Sequence, residues 1–204
     1  MENKITDGLT IARQVLREEA QAVLNLADLL DEGFVATCQM LHACTGRIVV
    51  CGVGKSGHIG RKIAASLASL GRPAFFLHAA EAVHGDLGMV TAEDIVILIS
   101  HSGETSELLN TLPSLKWIGA KQIALVGKAE STLARRCDAV LCTNVQSEAD
   151  PMNLAPTTSA LVTLALGDAI AIVLSVWDDF QPENFAVFHP GGALGRRLLG
   201  RDIS

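Results

Sequence analysis

The chain has 204 residues, 49% of them hydrophobic, and a formal net charge of −6. That is enough apolar content to bury a substantial core, and the acidic balance argues against nucleic acid or an anionic membrane surface as the main partner. Five cysteines without a C-x-x-C pair, and a start lacking a basic, apolar leader, point to reduced thiols in a cytoplasmic protein.

Ile5, Leu9, Ala12, Leu16, Val23, Leu26 and Leu30 recur at mostly helical spacing, which predicts one amphipathic helix over 5–30; a second is predicted over 34–44. From residue 47 onward strands and helices alternate. Strands are predicted at 47–51, 74–77, 95–99, 122–126 and 139–142, and helices at 58–70, 104–118 and 129–136. The apolar runs do not alternate with polar residues, so both faces of the sheet are expected to be covered, as in a parallel α/β sheet. No internal linker or repeat splits the chain. It reads as a single domain over 1–204, with N-terminal helices at 5–45, a sheet core at about 47–143 and a helical part at 155–200. The stretch 157–180 is almost long enough to span a bilayer, but Asp168 lies in its middle, and no Lys or Arg anchor accompanies Asp178 and Asp179. A core or subunit-interface helix is expected there.

A five-stranded doubly wound sheet in the flavodoxin-like order 2-1-3-4-5 binds ligands where the loops after its first and third strands face one another. The first loop is Gly52-Val53-Gly54-Lys55-Ser56-Gly57; the second, Ser100 to Glu107, is dense in hydroxyls. An ATP-binding P-loop would need a glycine at position 49, where Val49 stands. A dinucleotide site would need an acidic residue ending the second strand, which ends instead at His78. A single phosphate monoester fits better. Two helix N-termini offer backbone N–H groups, Lys55 adds a charge, and Ser56, Ser100, Ser102 and Thr105 add hydroxyls. Gly54, Gly57, His84 and His101 complete the expected substrate-binding set. The competing account of these hydroxyls is helix capping.

The stretches "GVGKSGHIGRKIAASLASLG", "HAAEAVHGDLGMV", "ISHSGETSEL", "LAPTTSALVTLALGDAIA" and "FAVFHPGGALGRRLL" resemble the sugar-isomerase (SIS) domain of bacterial arabinose-5-phosphate isomerases. The similarity runs from about Leu9 to Leu199. It implies interconversion of arabinose 5-phosphate and ribulose 5-phosphate, which supplies 3-deoxy-D-manno-octulosonate for lipopolysaccharide or capsule. It also implies a homotetramer needing no metal or cofactor. Many members continue into paired CBS domains, whereas this sequence stops at "LLGRDIS".

Aldose–ketose exchange requires a held phosphate, an open-chain sugar, a base that moves a proton between C2 and C1, and a partner for the enediolate oxygen. The resemblance makes Lys55 an active-site residue; it holds the phosphate or faces the enediolate. Glu148 lies in a long irregular stretch, where a carboxylate can be aimed into the pocket. The matching glutamate is a proposed catalytic residue in the family, and Glu148 is taken as the base. Glu107, in the first turns of a helix, either joins the catalysis or only complements the helix dipole. His84 and His189 each stand beside glycines and are assigned ring opening or carbonyl polarisation; resemblance suggests that the His189 segment acts across a subunit interface. A zinc site from His78, His84 and His189 lacks ligand spacing to support it. The chief rival function, a sugar-phosphate sensor, would come with a basic recognition helix that the sequence lacks.

Overall fold

The computed structural model describes residues 7–192 together with Gly195 and Arg197. Strands β1 (Ile48–Gly52), β2 (Ala74–His78), β3 (Ile95–Ser100), β4 (Lys121–Val126) and β5 (Ala139–Cys142) pair in parallel, in the order β2-β1-β3-β4-β5. This is the expected flavodoxin-like α/β sheet. The helices are α1 (Gly8–Leu29), α2 (Glu32–His42), α3 (Gly54–Ser69), α4 (Ala79–Ala82), α5 (Ser106–Ile118), α6 (Thr132–Arg136), α7 (Thr158–Trp177) and α8 (Pro182–Phe188), with a 3-10 turn at Asp86–Met89.

Side chains alternate across each strand and so build two cores. On one face Ile48, Val50, Ile95, Ile97, Ile123 and Leu125 pack against buried residues of α1, α2, α3 and α7. On the other, Val49, Cys51, Leu77, Val96, Leu98 and Ala124 pack beneath α4, α5 and α6. Central strands β1 and β3 are buried throughout, whereas the edge strands β2 and β5 are only partly covered. All five cysteines are free, and burial pushes the Cys51 thiol up to about 12, which keeps it a neutral core side chain.

Strand positions agree with expectation within a residue or so, but helix starts do not. Helix α3 begins at Gly54, ahead of the predicted position 58, so the glycine turn is itself the first turn of the helix. Gly54 takes φ +59° there. Helix α5 begins at Ser106 rather than 104, because Gly103 takes φ +67° and Thr105 stays extended, while the Glu104 carboxylate reaches across to accept the Thr132 N–H at 2.7 Å. Helix α6 begins at Thr132 rather than 129, capped by the Ser131 hydroxyl. The helical turn at 79–82 and the 3-10 turn have no counterpart in the sequence-based expectation. Up to residue 192 the C-terminal helical part is broken into α7 and α8, parted by Asp179 at φ +50° and restarted by Pro182. The predicted start at Ile5 lies outside the described residues, as does most of the segment after 192.

Helix α7 is, among the described residues, long and apolar enough to cross a membrane, but it behaves as a core element. Val162, Leu166, Ile170 and Leu174 form a buried stripe at helical spacing. Asp168 is met by the Lys62 ammonium and the Ser66 hydroxyl of α3. Where α3 and α7 touch, a Cβ added to Gly167 would stand 2.4 Å from Ile63, itself fully buried. Gly167→Ala should therefore lower unfolding stability by about 1–3 kcal/mol through overpacking, against the roughly 1 kcal/mol that alanine gains in an unobstructed helix. Urea unfolding would measure it; a stabilised variant would contradict this packing.

Candidate active site

A cavity of about 620 Å³ opens past the carboxyl ends of β3, β4 and β5, between the N-termini of α3 and α7. Its walls come from four connections. The first turn of α3 supplies Lys55, Ser56 and Ile59; the loop after β3 supplies His101 and Ser102; the loop after β4 supplies Lys128 and Glu130; and the segment from β5 to α7 supplies Asn144, Glu148 and Ser159.

Gly52 and Gly57 of the first loop serve helix packing, whereas Gly54 serves the positive φ of the turn. A Cβ on Gly57 would stand 3.3 Å from the Gly52 carbonyl oxygen, so a larger residue would push α3 away from β1 by a few tenths of an ångström. Ser56 remains on the cavity wall, and Lys55, exposed, makes no ion pair among the described residues.

The second loop divides its hydroxyls. Ser100, 2% exposed, lies 2.7 Å from the Thr105 hydroxyl and accepts the Gly103 N–H at 3.0 Å. Those two hydroxyls shape the loop from within. Ser102 and His101 face the cavity, and the His101 carbonyl accepts the Gly127 N–H at 2.9 Å, tying this loop to the one after β4.

The segment 143–157 is irregular, as expected, yet far from loose. Asn144 and Asn153 take positive φ, and the Asn153 side chain accepts the Glu148 N–H at 2.7 Å. The Thr157 hydroxyl accepts the Ala149 N–H at 3.0 Å, and the Asp150 carboxylate accepts the N–H groups of Met152, Leu154 and Ala155. Glu148 in turn caps α7. Its carboxylate accepts the N–H (2.9 Å) and hydroxyl (3.2 Å) of Thr157, the N–H of Ser159 (3.0 Å) and the hydroxyl of Ser159. Burial raises its pKa, but the hydrogen bonds from Ser159 and Thr157 outweigh that and hold it below the ordinary glutamate value.

Lys55, Ser56, His101, Ser102 and Glu148 are thus brought together. Gly54, exposed, and the packed residues Gly57, Ser100 and Thr105 do not line the cavity. Glu107 lies in the first turn of α5, where its own N–H and the Ser106 hydroxyl lower its pKa. His84 stands exposed in the turn after α4. Neither lines the cavity. His189 is also not brought there: its Nδ1–H donates to the Phe185 carbonyl at 2.8 Å, so its Nε2 accepts from the Ser69 hydroxyl at 2.7 Å. Ser69 ends the helix whose first turn holds Lys55, so the hydroxyl that meets His189 lies roughly 20 Å from Lys55 along the helix, at 1.5 Å per residue. Among the described residues no three His, Cys, Asp or Glu side chains group as metal ligands.

Among the cavity residues outside the set expected from sequence are Lys128 and Ser159. Lys128 follows β4 much as Lys55 follows β1, so the doubly wound topology could have flagged it. Ser159 stands in the "PTTS" run that opens α7, where a helix N-terminus meets the strand ends.

Residues 40–173 match the SIS domain family model. The chain belongs to the SIS domain family. It is 51% identical over 194 residues to arabinose 5-phosphate isomerase KpsF of Escherichia coli O6:H1, covering 95% of this chain and 59% of that protein. It is 54% identical over 191 residues to a probable arabinose 5-phosphate isomerase of Haemophilus influenzae, covering 94% and 57%. The chain therefore spans less than two thirds of the length of these relatives. Among solved structures, c3406 of E. coli CFT073 in complex with arabinose 5-phosphate superposes with a TM-score of 0.89 at 46% identity, over 91% of this chain and 98% of that one.

The Glu148 cap makes a pH-dependent contribution to the stability of this SIS fold. Glu148→Gln sets an amide NH2 among hydrogen-bond donors and should cost about 1–3 kcal/mol at neutral pH. Because the folded carboxyl titrates below its ordinary value of 4.5, the contribution is present above that pH and is lost as pH falls through the folded value. The difference between wild type and variant in urea unfolding should thus shrink in acid. A gap unchanged from neutral pH into acid would contradict the cap.

Proposed function

We propose that the chain is an aldose–ketose isomerase unit that interconverts arabinose 5-phosphate and ribulose 5-phosphate without a cofactor. The observation carrying this is a cavity with Lys55 on one wall and Glu148 on another, in a chain about half identical to arabinose 5-phosphate isomerases. The N-terminus of α3, with Ser56 and the facing Ser102, supplies donors for the phosphate. Glu148 takes the proton from C2 of the open-chain aldose, and the released electron pair forms the enediolate. The Lys55 charge lies on the opposite wall, available to the developing oxyanion. The proton returns at C1 while the O2 proton passes to O1, which leaves the ketose. Turnover supplies a sugar phosphate for 3-deoxy-D-manno-octulosonate synthesis toward lipopolysaccharide or capsule.

The assembly proposed is a cytoplasmic homotetramer built from one SIS unit over 1–204. Leu9, Leu16 and Leu24 on α1, and Ile172, Val176 and Trp177 on α7, expose apolar side chains that partner subunits would cover. In that assembly His189 and Glu107 complete a neighbour's cavity rather than their own, with His84 on its rim. The test is turnover of arabinose 5-phosphate against a panel of pentose, hexose and heptose phosphates, and then subunit mixing. Arabinose 5-phosphate should give the highest kcat/KM, and mixed oligomers of inactive Lys55→Ala and inactive His189→Ala chains should regain part of the activity. Preference for another sugar phosphate would overturn the substrate, and mixed oligomers without recovered turnover would overturn the shared site.

A further inference from the structure

We propose that Ser159 is the positioning residue that aims Glu148 at the substrate and sets its affinity for a proton; this rests on the reading of Glu148 as the base. The donors around Glu148 divide unevenly between its two oxygens. Oε2 accepts the Thr157 N–H, the Thr157 hydroxyl and the Ser159 N–H. Three donors occupy an oxygen with two lone-pair directions, so Oε2 has nothing left to offer a ligand. Among the described residues, Oε1 accepts only the Ser159 hydroxyl, which leaves one of its lone pairs open. Oε1 is therefore the atom that meets the substrate proton, and the Ser159 hydroxyl fixes the direction of its open lobe.

Ser159 is 3% exposed and shares the cavity wall with Glu148, on the first turn of a helix anchored in the core. Its hydroxyl donates to the ionised carboxylate, a bond that protonation of that oxygen weakens or reverses, so the hydroxyl favours the ionised form. Other charged or titratable groups line the cavities that Glu148 also lines. Lys55 comes from α3, His101 from the loop after β3, and Lys128 and Glu130 from the loop after β4. Glu18 of α1 and Asp150 lie on the outer side of the loop. None of them forms an ion pair with Glu148 among the described residues, whereas the Ser159 hydroxyl is in direct contact.

The test compares the full chain with Ser159→Ala and with Ser159→Cys, which is close in size but a weak donor. Two quantities are read. One is the pH profile of kcat/KM on arabinose 5-phosphate; the other is the carboxyl 13C NMR titration of Glu148, assigned by its absence in Glu148→Gln. The titration should move to higher pH in the order wild type, Cys, Ala, and the acid limb of kcat/KM should move with it. Loss of one such hydrogen bond should lower turnover on the acid side by about 3- to 10-fold more than on the alkaline plateau. Where the alanine variant is too unstable to assay, the cysteine variant carries the same comparison. An unmoved titration overturns the role of Ser159, whatever happens to activity. A moved titration with an unmoved acid limb overturns Glu148 as the base rather than the assignment of Ser159.

Discussion

The carboxylate of Glu148 on the first turn of α7 joins the irregular segment 143–157 to the most apolar helix of the chain. α7 is held by core packing on α3, so whatever its N-terminus grips is fixed relative to the Lys55 end of α3. The two walls of the cavity thus keep their separation through a helix–helix contact that touches no substrate. This explains how a long loop can carry a chemically exacting group: its backbone N–H groups are consumed by Asn153, Thr157 and Asp150 side chains rather than left to water.

The same contacts create a tension within the site. A carboxylate stabilised as an anion by four hydrogen bonds is a weaker base than one in a bare apolar pocket. What it gains is a fixed position and permanent ionisation near neutral pH. The uneven division of donors between Oε1 and Oε2 reconciles these demands, since one oxygen anchors and the other stays available.

Much of the fold could be read from the sequence because the strands announce themselves as apolar runs between helices, and the parallel order follows from that pattern. Helix starts were harder to place. They depend on backbone geometry and long-range side-chain bonds, such as φ +67° at Gly103 and Glu104 to the Thr132 N–H, that local periodicity does not carry. In the cavity, the strand-end loops bring together Lys55, Ser56, His101 and Ser102, and the long segment brings Glu148. Hydroxyl content alone could not separate the inward Ser100 and Thr105 from the cavity-facing Ser102. Nor could glycine neighbours show that His189 lies at the far end of α3, because that depends on where α8 lands. Its proposed chemistry would fall to a neighbouring subunit, for which the exposed apolar side chains of α1 and α7 offer a surface.

The central claim is that Glu148 moves the proton between C2 and C1. Hydrogen exchange at C2 of arabinose 5-phosphate in D2O, followed by NMR for wild type and Glu148→Gln, tests it most directly. A carboxylate that holds the proton while the enediolate waits exchanges it with solvent, so wild type should incorporate deuterium. Glu148→Gln should still bind substrate within a few-fold while exchange and turnover fall together by roughly 10²–10⁴-fold, the usual worth of a general base. Near-normal exchange by Glu148→Gln, with exchange abolished in Glu107→Gln or His189→Ala, would contradict the account and leave Glu148 as the cap of α7 alone.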